Sequence, residues 1–316
     1  MPTVFITGAT GFIGRALCVK MLEKGWTVLG AFRNKSSGGN LPVGVEGIQI
    51  ENIENYDNAH KDLEGVDTVI HLAGRAHVMN DTAIDRLDVF NKINVVGTER
   101  LARTAAMKGV KKFIFLSSIK VNGESSSSPY SEKDAPMPQD PYGVSKYEAE
   151  QVLKGVAAKT GLREVILRPP LVYGPGVKAN FYSLIKLVAS GLPLPLEGIH
   201  NCRSFIYIGN LVDAIFTSVI HHKAAGETFM VSDCKDISTP DLIRLIASAM
   251  GKRASLFSLS PVLLKASAKI IGKSEEIERL IGSLFVDTGK IRELLGWEPP
   301  FTLEEGIEET IRCYRL

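Results

Sequence analysis

The stretch Gly8-Ala9-Thr10-Gly11-Phe12-Ile13-Gly14 restricts the fold of this chain more than any other feature. It follows the run Thr3-Val4-Phe5-Ile6-Thr7 and opens a helical pattern from Phe12 to Lys24. A glycine triplet means little alone, but between a strand and a helix it has a physical reading. Gly8 permits a tight turn, Gly11 lets the backbone approach a pyrophosphate, and Gly14 allows close helix–strand packing. The helix N-terminus then offers unpaired N–H groups to phosphate oxygens. A glycine-rich turn without a ligand is the bland alternative, and its place at the first strand–helix junction argues against it.

The pattern around the loop repeats. Val4–Thr7, Thr27–Phe32, Thr68–Ala73, Lys112–Leu116 and Glu164–Arg168 read as buried parallel strands, with helices at Phe12–Lys24, Val95–Lys108 and Tyr142–Lys159 between them. This alternation predicts an α/β fold, a Rossmann-type doubly wound parallel sheet over residues 1–170. Past Arg168 the texture changes, with Pro169-Pro170, Gly174-Pro175-Gly176 and Pro193-Leu194-Pro195 punctuating shorter elements. Residues 171–316 are therefore expected to form a smaller, interleaved substrate lobe, with Phe229-Met230-Val231 returning as a strand to the main sheet. Ser125 to Ser128 reads as a mobile loop.

Composition narrows the function. A net charge of +2 gives no global field for nucleic acid or an anionic membrane. Cys18, Cys202, Cys234 and Cys313 lack the spacing of a zinc site or redox pair, and His60, His200, His221 and His222 lack partners at metal-ligand spacing, so no metal is expected. The N-terminus does not read as a signal peptide, which predicts a cytoplasmic protein. Lys265 and Lys269 interrupt Leu256 to Ile271, the most apolar stretch, so no membrane insertion is expected. That stretch is amphipathic and is read as packing over the second lobe rather than lying on a membrane.

Two further features carry chemistry. An acid usually ends the second strand of an NAD site, ~20 residues past the glycines. Here the strand ends Ala31-Phe32-Arg33-Asn34-Lys35, and Arg33 would attract a 2′-phosphate, so NADP(H) is favoured with NAD(H) as the alternative. In Tyr142-Gly143-Val144-Ser145-Lys146 the i, i+4 spacing sets a phenol and an ammonium on one helix face. The ammonium and the positive nicotinamide ring are both expected to pull the phenol below its free value of ~10, toward acid–base work near neutrality. Phe113-Ile114-Phe115-Leu116-Ser117-Ser118 is a strand ending in hydroxyls at the ligand edge of such a sheet, where Ser118 could bond the reacting oxygen.

With these residues the sequence resembles the extended short-chain dehydrogenase/reductases, which include sugar-nucleotide epimerases, dehydratases and ketoreductases. The resemblance covers almost the whole chain. It implies a catalytic triad of Ser118, Tyr142 and Lys146, with Tyr142 and Lys146 also touching cofactor. It assigns to the cofactor Gly8, Thr10, Gly11, Phe12, Ile13 and Gly14, then Arg33, Asn52 and Ile53, then Leu72, Ala73 and Gly74 of the His71-Leu72-Ala73-Gly74 motif. Asn94, Pro169 and Leu171 complete that set. To the substrate, a UDP-linked sugar, it assigns Arg75, Lys120, Asn122, Asn180 and Arg203, the last as a diphosphate clamp. Asp287 would cap a helix of the second lobe. A homodimer through the helices near Val95 and Tyr142 is also implied.

Departures from the family pattern refine the expectation. Dehydratases carry an Asp-Glu pair after the serine or threonine, whereas this chain has Ile119-Lys120, which speaks against dehydration. Ser118-Ile119-Lys120-Val121-Asn122-Gly123 is most similar to bacterial reductases of UDP-4-keto-6-deoxy-N-acetylhexosamines, which serve surface-polysaccharide (O-antigen) synthesis. The alternative is a UDP-glucose or UDP-N-acetylglucosamine 4-epimerase. A non-catalytic NADP-sensing module is remote, because a sensor needs no proton donor.

Overall fold

Seven parallel strands in the order β3-β2-β1-β4-β5-β6-β9 form the central sheet of the computed structural model, which describes residues 1–34, 38–57, 60–75, 86–260, 262–264, 269 and 274–314. They are β1 (Thr3–Thr7), β2 (Thr27–Phe32), β3 (Glu46–Gln49), β4 (Thr68–His71), β5 (Lys112–Leu116), β6 (Arg163–Arg168) and β9 (Glu227–Met230). β4 and β5 are buried at every residue, as strands covered by helices on both faces must be. β3 is different. Its sequence, Glu-Gly-Ile-Gln, has no apolar run and is mostly exposed, and it exists because Leu29 to Phe32 pair with it at the sheet edge.

The strand order reverses around β1, which pairs with β2 on one side and β4 on the other. Helices cross in opposite directions at that point, so the carboxyl ends of β1 and β4 open a crevice. Helix α1 (Phe12–Glu23) starts on one side of it. On the other side α2 (Arg86–Phe90) continues through a π-helical turn, Asn91–Val96, into α3 (Gly97–Met107). Helix α4 (Pro141–Thr160) follows β5.

The second lobe is threaded into the first. β9 joins the main sheet beside β6, with Leu167 opposite Phe229 and Arg168 opposite Met230. Helix α6 (Ile208–Ile220) packs back on α1, where Lys20 bonds Asp213 at 2.7 Å and Trp297 donates to the same carboxylate at 3.2 Å. The remainder holds the parallel pair β7 (Leu171–Tyr173) and β8 (Phe205–Tyr207), with helices α5 (Ala179–Ala189), α7 (Thr239–Ala249), α8 (Ser274–Ile281), α9 (Gly289–Leu295) and α10 (Leu303–Cys313). Buried Asp233 joins these parts: it accepts from the Tyr173 hydroxyl at 2.8 Å, Tyr207 N at 2.8 Å and Asn210 Nδ2 at 2.7 Å.

One sequence reading changes here. The serines after Ser125 are held in place rather than loose: Ser126 N donates to Ser283 O and Tyr130 N to Phe285 O, both at 2.9 Å, and Asp287 N returns a bond to Tyr130 O. The stretch from Leu256 to Ile271 lies partly outside the described residues. Within it Leu256 bridges Leu194 and Leu264 is buried in the core, while Val262 and Leu263 are exposed. No described helix is long and apolar enough to cross a membrane.

Lys112, at the start of β5, shows how the sheet holds α6. Its buried ammonium donates to the carbonyls of Ser218 (3.1 Å), Val219 (2.5 Å) and His221 (3.1 Å), caps that would otherwise be missing at the helix C-terminus. Burial lowers its pKa to about 8, so it remains charged at neutral pH. Lys112→Met leaves three carbonyls without this donor and is expected to cost about 2–3 kcal/mol of stability. The check is a urea titration, in which the midpoint should fall with the slope unchanged.

Candidate active site

The glycine loop folds as its spacing requires. Gly8 has φ +70°, a region that disfavours side chains, and Gly11 N closes the turn onto Gly8 O at 2.9 Å. A Cβ at Gly14 would lie 2.0 Å from Gly8 O, so only glycine fits where α1 leaves the loop. Gly11 is the N-cap of α1 and brings no side chain to its first N–H groups. Thr10, Phe12 and Ile13 line this turn and are partly exposed. A dinucleotide phosphate fits such a cradle.

Across the crevice, buried His71 organises the end of β4. Ala73 N donates to Thr7 Oγ1 at 3.1 Å, and the Thr7 hydroxyl meets His71 Nδ1 at 2.6 Å. His71 Nε2 meets Thr98 Oγ1 at 3.0 Å, and that hydroxyl donates to Asn94 O at 2.5 Å. One assignment satisfies the series: neutral His71 with its proton on Nε2. Burial, with a smaller push from Lys146, lowers its pKa to about 3, in agreement.

Asn94 sits in the π-helical turn, which aims its amide inward. Its Oδ1 accepts from Arg75 N at 2.8 Å; its Nδ2 donates to Arg75 O at 3.1 Å and Ser145 Oγ at 2.9 Å. Ser145 in turn donates to Tyr142 O at 2.8 Å. The loop after β4 is thereby tied to the helix carrying Tyr142 and Lys146. Gly74 stays bare beside them, since a Cβ there would lie 3.1 Å from Asn94 Oδ1 and 3.8 Å from Lys146 Nζ.

The expected catalytic residues come together on α4 and just past the end of β5. Asp140 caps α4 by accepting from Gly143 N at 2.6 Å, and Pro141 occupies the first turn. Ser118 begins the short 3₁₀ turn Ile119–Val121, its Oγ accepting from Lys120 N at 3.3 Å, and its hydroxyl favours the charged form of the Tyr142 phenol. Lys146 is buried with its Nζ 4.1 Å from the centre of the Phe115 ring. On balance the chain's own groups act in the opposite direction to the expected lowering of the phenol. Burial, then the Asp140 carboxylate, push the phenol up to about 12 against the smaller opposing effect of Ser118. Lys146 is instead pushed down to about 7 by burial, with Glu150 working against it. The low dielectric that surrounds both groups disfavours charge on either.

Beneath them lies an ion pair that the sequence reading missed. Arg168 Nη2 meets Glu150 Oε2 at 2.5 Å, and Arg168 Nε meets Oε1 at 2.9 Å; Ser117 donates to Oε1 at 2.5 Å. The available signal was a glutamate one turn past Lys146 on the buried helix face, which needs a partner.

Several expected substrate residues have other engagements. Asn122 is buried: its Oδ1 accepts from Arg168 Nη1 at 3.0 Å and its Nδ2 donates to Ser131 O at 3.4 Å, so its amide holds the loop rather than facing a sugar. Lys120 bonds Asp140 at 2.5 Å and Glu124 at 2.7 Å. Arg203 donates from Nη1 to the carbonyls of Arg279 and Gly282, at the end of α8. Asn180 is exposed, but its neighbour Phe181 is buried and stacks on Tyr173 at 5.1 Å.

The expected cofactor residues divide similarly. Arg33 and Asn52 are exposed, Ile53 packs on α3 where a Cβ at Gly97 would meet it at 2.7 Å, and Leu72 and Ala73 are partly buried. Pro169 O accepts from Ile119 N at 3.0 Å, placing the start of the Pro169–Leu171 segment beside Ser118. Lys35 and His77 lie outside the described residues. Among the described residues no three His, Cys, Asp or Glu side chains converge as a metal site.

Comparison with known proteins agrees with this geometry. The model of the NAD dependent epimerase/dehydratase family matches residues 4–232. The chain is 41% identical to a UDP-glucose 4-epimerase of Vibrio cholerae, covering 99% of this chain and 96% of that protein. It is 26% identical to a dTDP-4-dehydro-6-deoxyglucose reductase of Escherichia coli, covering 99% and 97%. A UDP-glucuronic acid 4-epimerase of Bacillus cereus, solved with UDP-glucuronic acid and NAD, superposes with a TM-score of 0.79 at 26% identity, covering 98% of each chain. A Rossmann sheet, a glycine cradle and a serine–tyrosine–lysine site, matched by family along most of the chain, lead to one conclusion: this protein is an enzyme of the NAD dependent epimerase/dehydratase family.

Proposed function

We propose that this enzyme carries out NAD(P)-dependent redox chemistry at C4 of a UDP-linked hexose. Its favoured direction is reduction of the C4 ketone of a UDP-4-keto-6-deoxy-N-acetylhexosamine, in the synthesis of surface-polysaccharide sugars. The glycine cradle and Lys146 would hold the nicotinamide dinucleotide, which supplies hydride exchange at the sugar carbon when bound, while Asn94 braces the loop after β4 rather than touching it. The chain's own residues handle the proton. Tyr142 gives its phenolic proton to the C4 oxygen as the ketone becomes a hydroxyl, and the Ser118 hydroxyl bonds the same oxygen and holds it in line. Lys146 then stabilises the phenolate until solvent returns the proton.

The residues after Ser118 carry the choice of direction: Ile119-Lys120 stands where a dehydratase has its acidic pair, and Ser118 to Gly123 is most similar to the reductases. A 4-epimerase is the second reading, favoured by the 41% identical Vibrio cholerae relative. It needs the same three residues, with Tyr142 first accepting a proton. A homodimer through the helices near Val95 and Tyr142 belongs to the same proposal, and sedimentation would read it.

Tyr142→Phe is expected to cut turnover by ~10²-fold or more while leaving cofactor affinity nearly intact. Near-normal turnover in that variant would remove Tyr142 from the chemistry.

For the cofactor, Arg33 directly follows β2 with no acid next to it in the chain, so NADPH is expected to bind more tightly than NADH. Arg33 is exposed, which keeps the preference near the low end of a charge-assisted phosphate contact, about tenfold. Fluorescence titration of both cofactors checks this, and Arg33→Ala should erase most of the difference.

The direction is tested by following NADPH absorbance together with sugar mass. Stoichiometric NADPH oxidation and a gain of two hydrogens on the 4-keto sugar are expected. Interconversion of UDP-glucose with UDP-galactose without net NADPH consumption would establish the epimerase reading instead.

A further inference from the structure

The fold uses only part of the apolar stretch from Leu256 to Ile271. Ser255 to Phe257 run beside Leu194 to Glu197: Leu194 N donates to Ser255 O at 2.9 Å, Phe257 N to Leu194 O at 3.0 Å and Glu197 N to Phe257 O at 3.2 Å. From this ribbon Leu256 and Leu264 pack against the core. Phe257, Val262 and Leu263 do not, and together with Leu192 they are between 47% and 75% exposed. Lys252 joins the same face, since its ammonium donates to Ala189 O at 2.8 Å, at the end of α5 and three residues before Leu192. Large apolar side chains left exposed in one place, rather than singly, mark a surface that something else covers.

The charge around them narrows what that is. From Leu242 to Ser274 the sequence has six bases, Arg244, Lys252, Arg253, Lys265, Lys269 and Lys273, and no acid, although the whole chain nets only +2. Two neighbouring acids, Glu197 and Asp241, are committed to Arg244 at 2.5 and 2.7 Å. Arg253 and Lys269 are exposed. A second copy of the chain would set this basic segment against itself across a two-fold axis, where like charges repel. An anionic bilayer instead matches both properties, with headgroup charge for the bases and an acyl boundary for the apolar side chains. We propose that this face of the second lobe docks the enzyme peripherally on an anionic membrane surface. None of these residues belongs to the candidate active site.

The test is cosedimentation of the full-length protein with sucrose-loaded vesicles, either of phosphatidylcholine alone or of phosphatidylcholine and phosphatidylglycerol in equal parts. The protein is expected to pellet with the mixed vesicles, to stay in solution with the neutral ones, and to be released by about 0.5 M salt. Val262→Asp combined with Leu263→Asp is expected to weaken vesicle binding about tenfold or more, and so is Arg253→Glu combined with Lys269→Glu. All four side chains are exposed, so both double variants should melt at the parent temperature. Equal binding to the two kinds of vesicle, binding to neither, or full retention by either double variant would overturn the proposal. A dimer seen by analytical sedimentation and lost in Val262→Asp/Leu263→Asp would also overturn it, because a second copy would then cover the face. The assay contains no nucleotide-sugar, so its failure leaves the proposed reaction untouched.

Discussion

The geometry of the site depends on one desolvated ion pair. Glu150 is fully buried and Arg168 nearly so, and between them they take up both carboxylate oxygens and three guanidinium nitrogens, with Ser117 and Asn122 completing the bonds. As a contribution to stability such a pair is ambiguous, because desolvation offsets much of the attraction. As a constraint on position it is strict. It fixes the end of β5 through Ser117, the end of β6 through Arg168, the loop through Asn122 and the buried face of α4 through Glu150. Ser118 is the next residue after Ser117, and Lys146 is one turn before Glu150. Ser118 and Lys146 are thus held at fixed angles by a buried pair one residue and one helical turn away.

A second layer sets the charge states. The neutral imidazole of His71 lies 5.7 Å from the Phe115 ring, and Lys146 sits over the same ring. A charged histidine there would confront the ammonium across one aromatic ring; burial keeps it neutral and leaves the positive charge to Lys146. The same burial keeps Tyr142 protonated and loosens the proton on Lys146, so the two groups are driven toward neutrality from opposite sides. Opposed environments of this kind are how one site separates a proton donor from its electrostatic support.

Much of this was legible in the sequence because the signals are local. The glycine loop is a strand–turn–helix read within a dozen residues, and Tyr142 and Lys146 share a face by simple helical spacing. What escaped reading depends on residues far apart in the chain. Asn122 looked like a sugar contact until Arg168 took its amide oxygen, and Lys120 looked like another until Asp140, twenty positions later, paired with it. The serines after Ser125 looked loose because their partners, Ser283 and Phe285, are on another lobe. Edge strand β3 left no apolar pattern, since it has only one neighbour to satisfy. The effect of burial on Tyr142 escaped as well: the sequence reading placed an ammonium nearby but not the low dielectric around both groups.

Those serines also show how the lobes are joined. The segment from Ser283 to Asp287 bonds on one side to Ser126 and Tyr130, which follow Ser118, and on the other to Cys202 and Ser204, which flank Arg203. Arg203 pairs onward with Ile237 at 3.0 Å in both directions. The bridges Tyr130–Val286, Arg203–Leu284 and Arg203–Ile237 therefore form one small ladder. At one end it carries the loop from Ser118, the expected catalytic serine, and in its middle Arg203, the arginine expected at the diphosphate. A hinge between lobes would have to break these backbone bonds together. The distance from Ser118 to Arg203 is set by a hydrogen-bonded register rather than by a flexible linker, and a ligand reaching from one to the other meets a span fixed before it arrives.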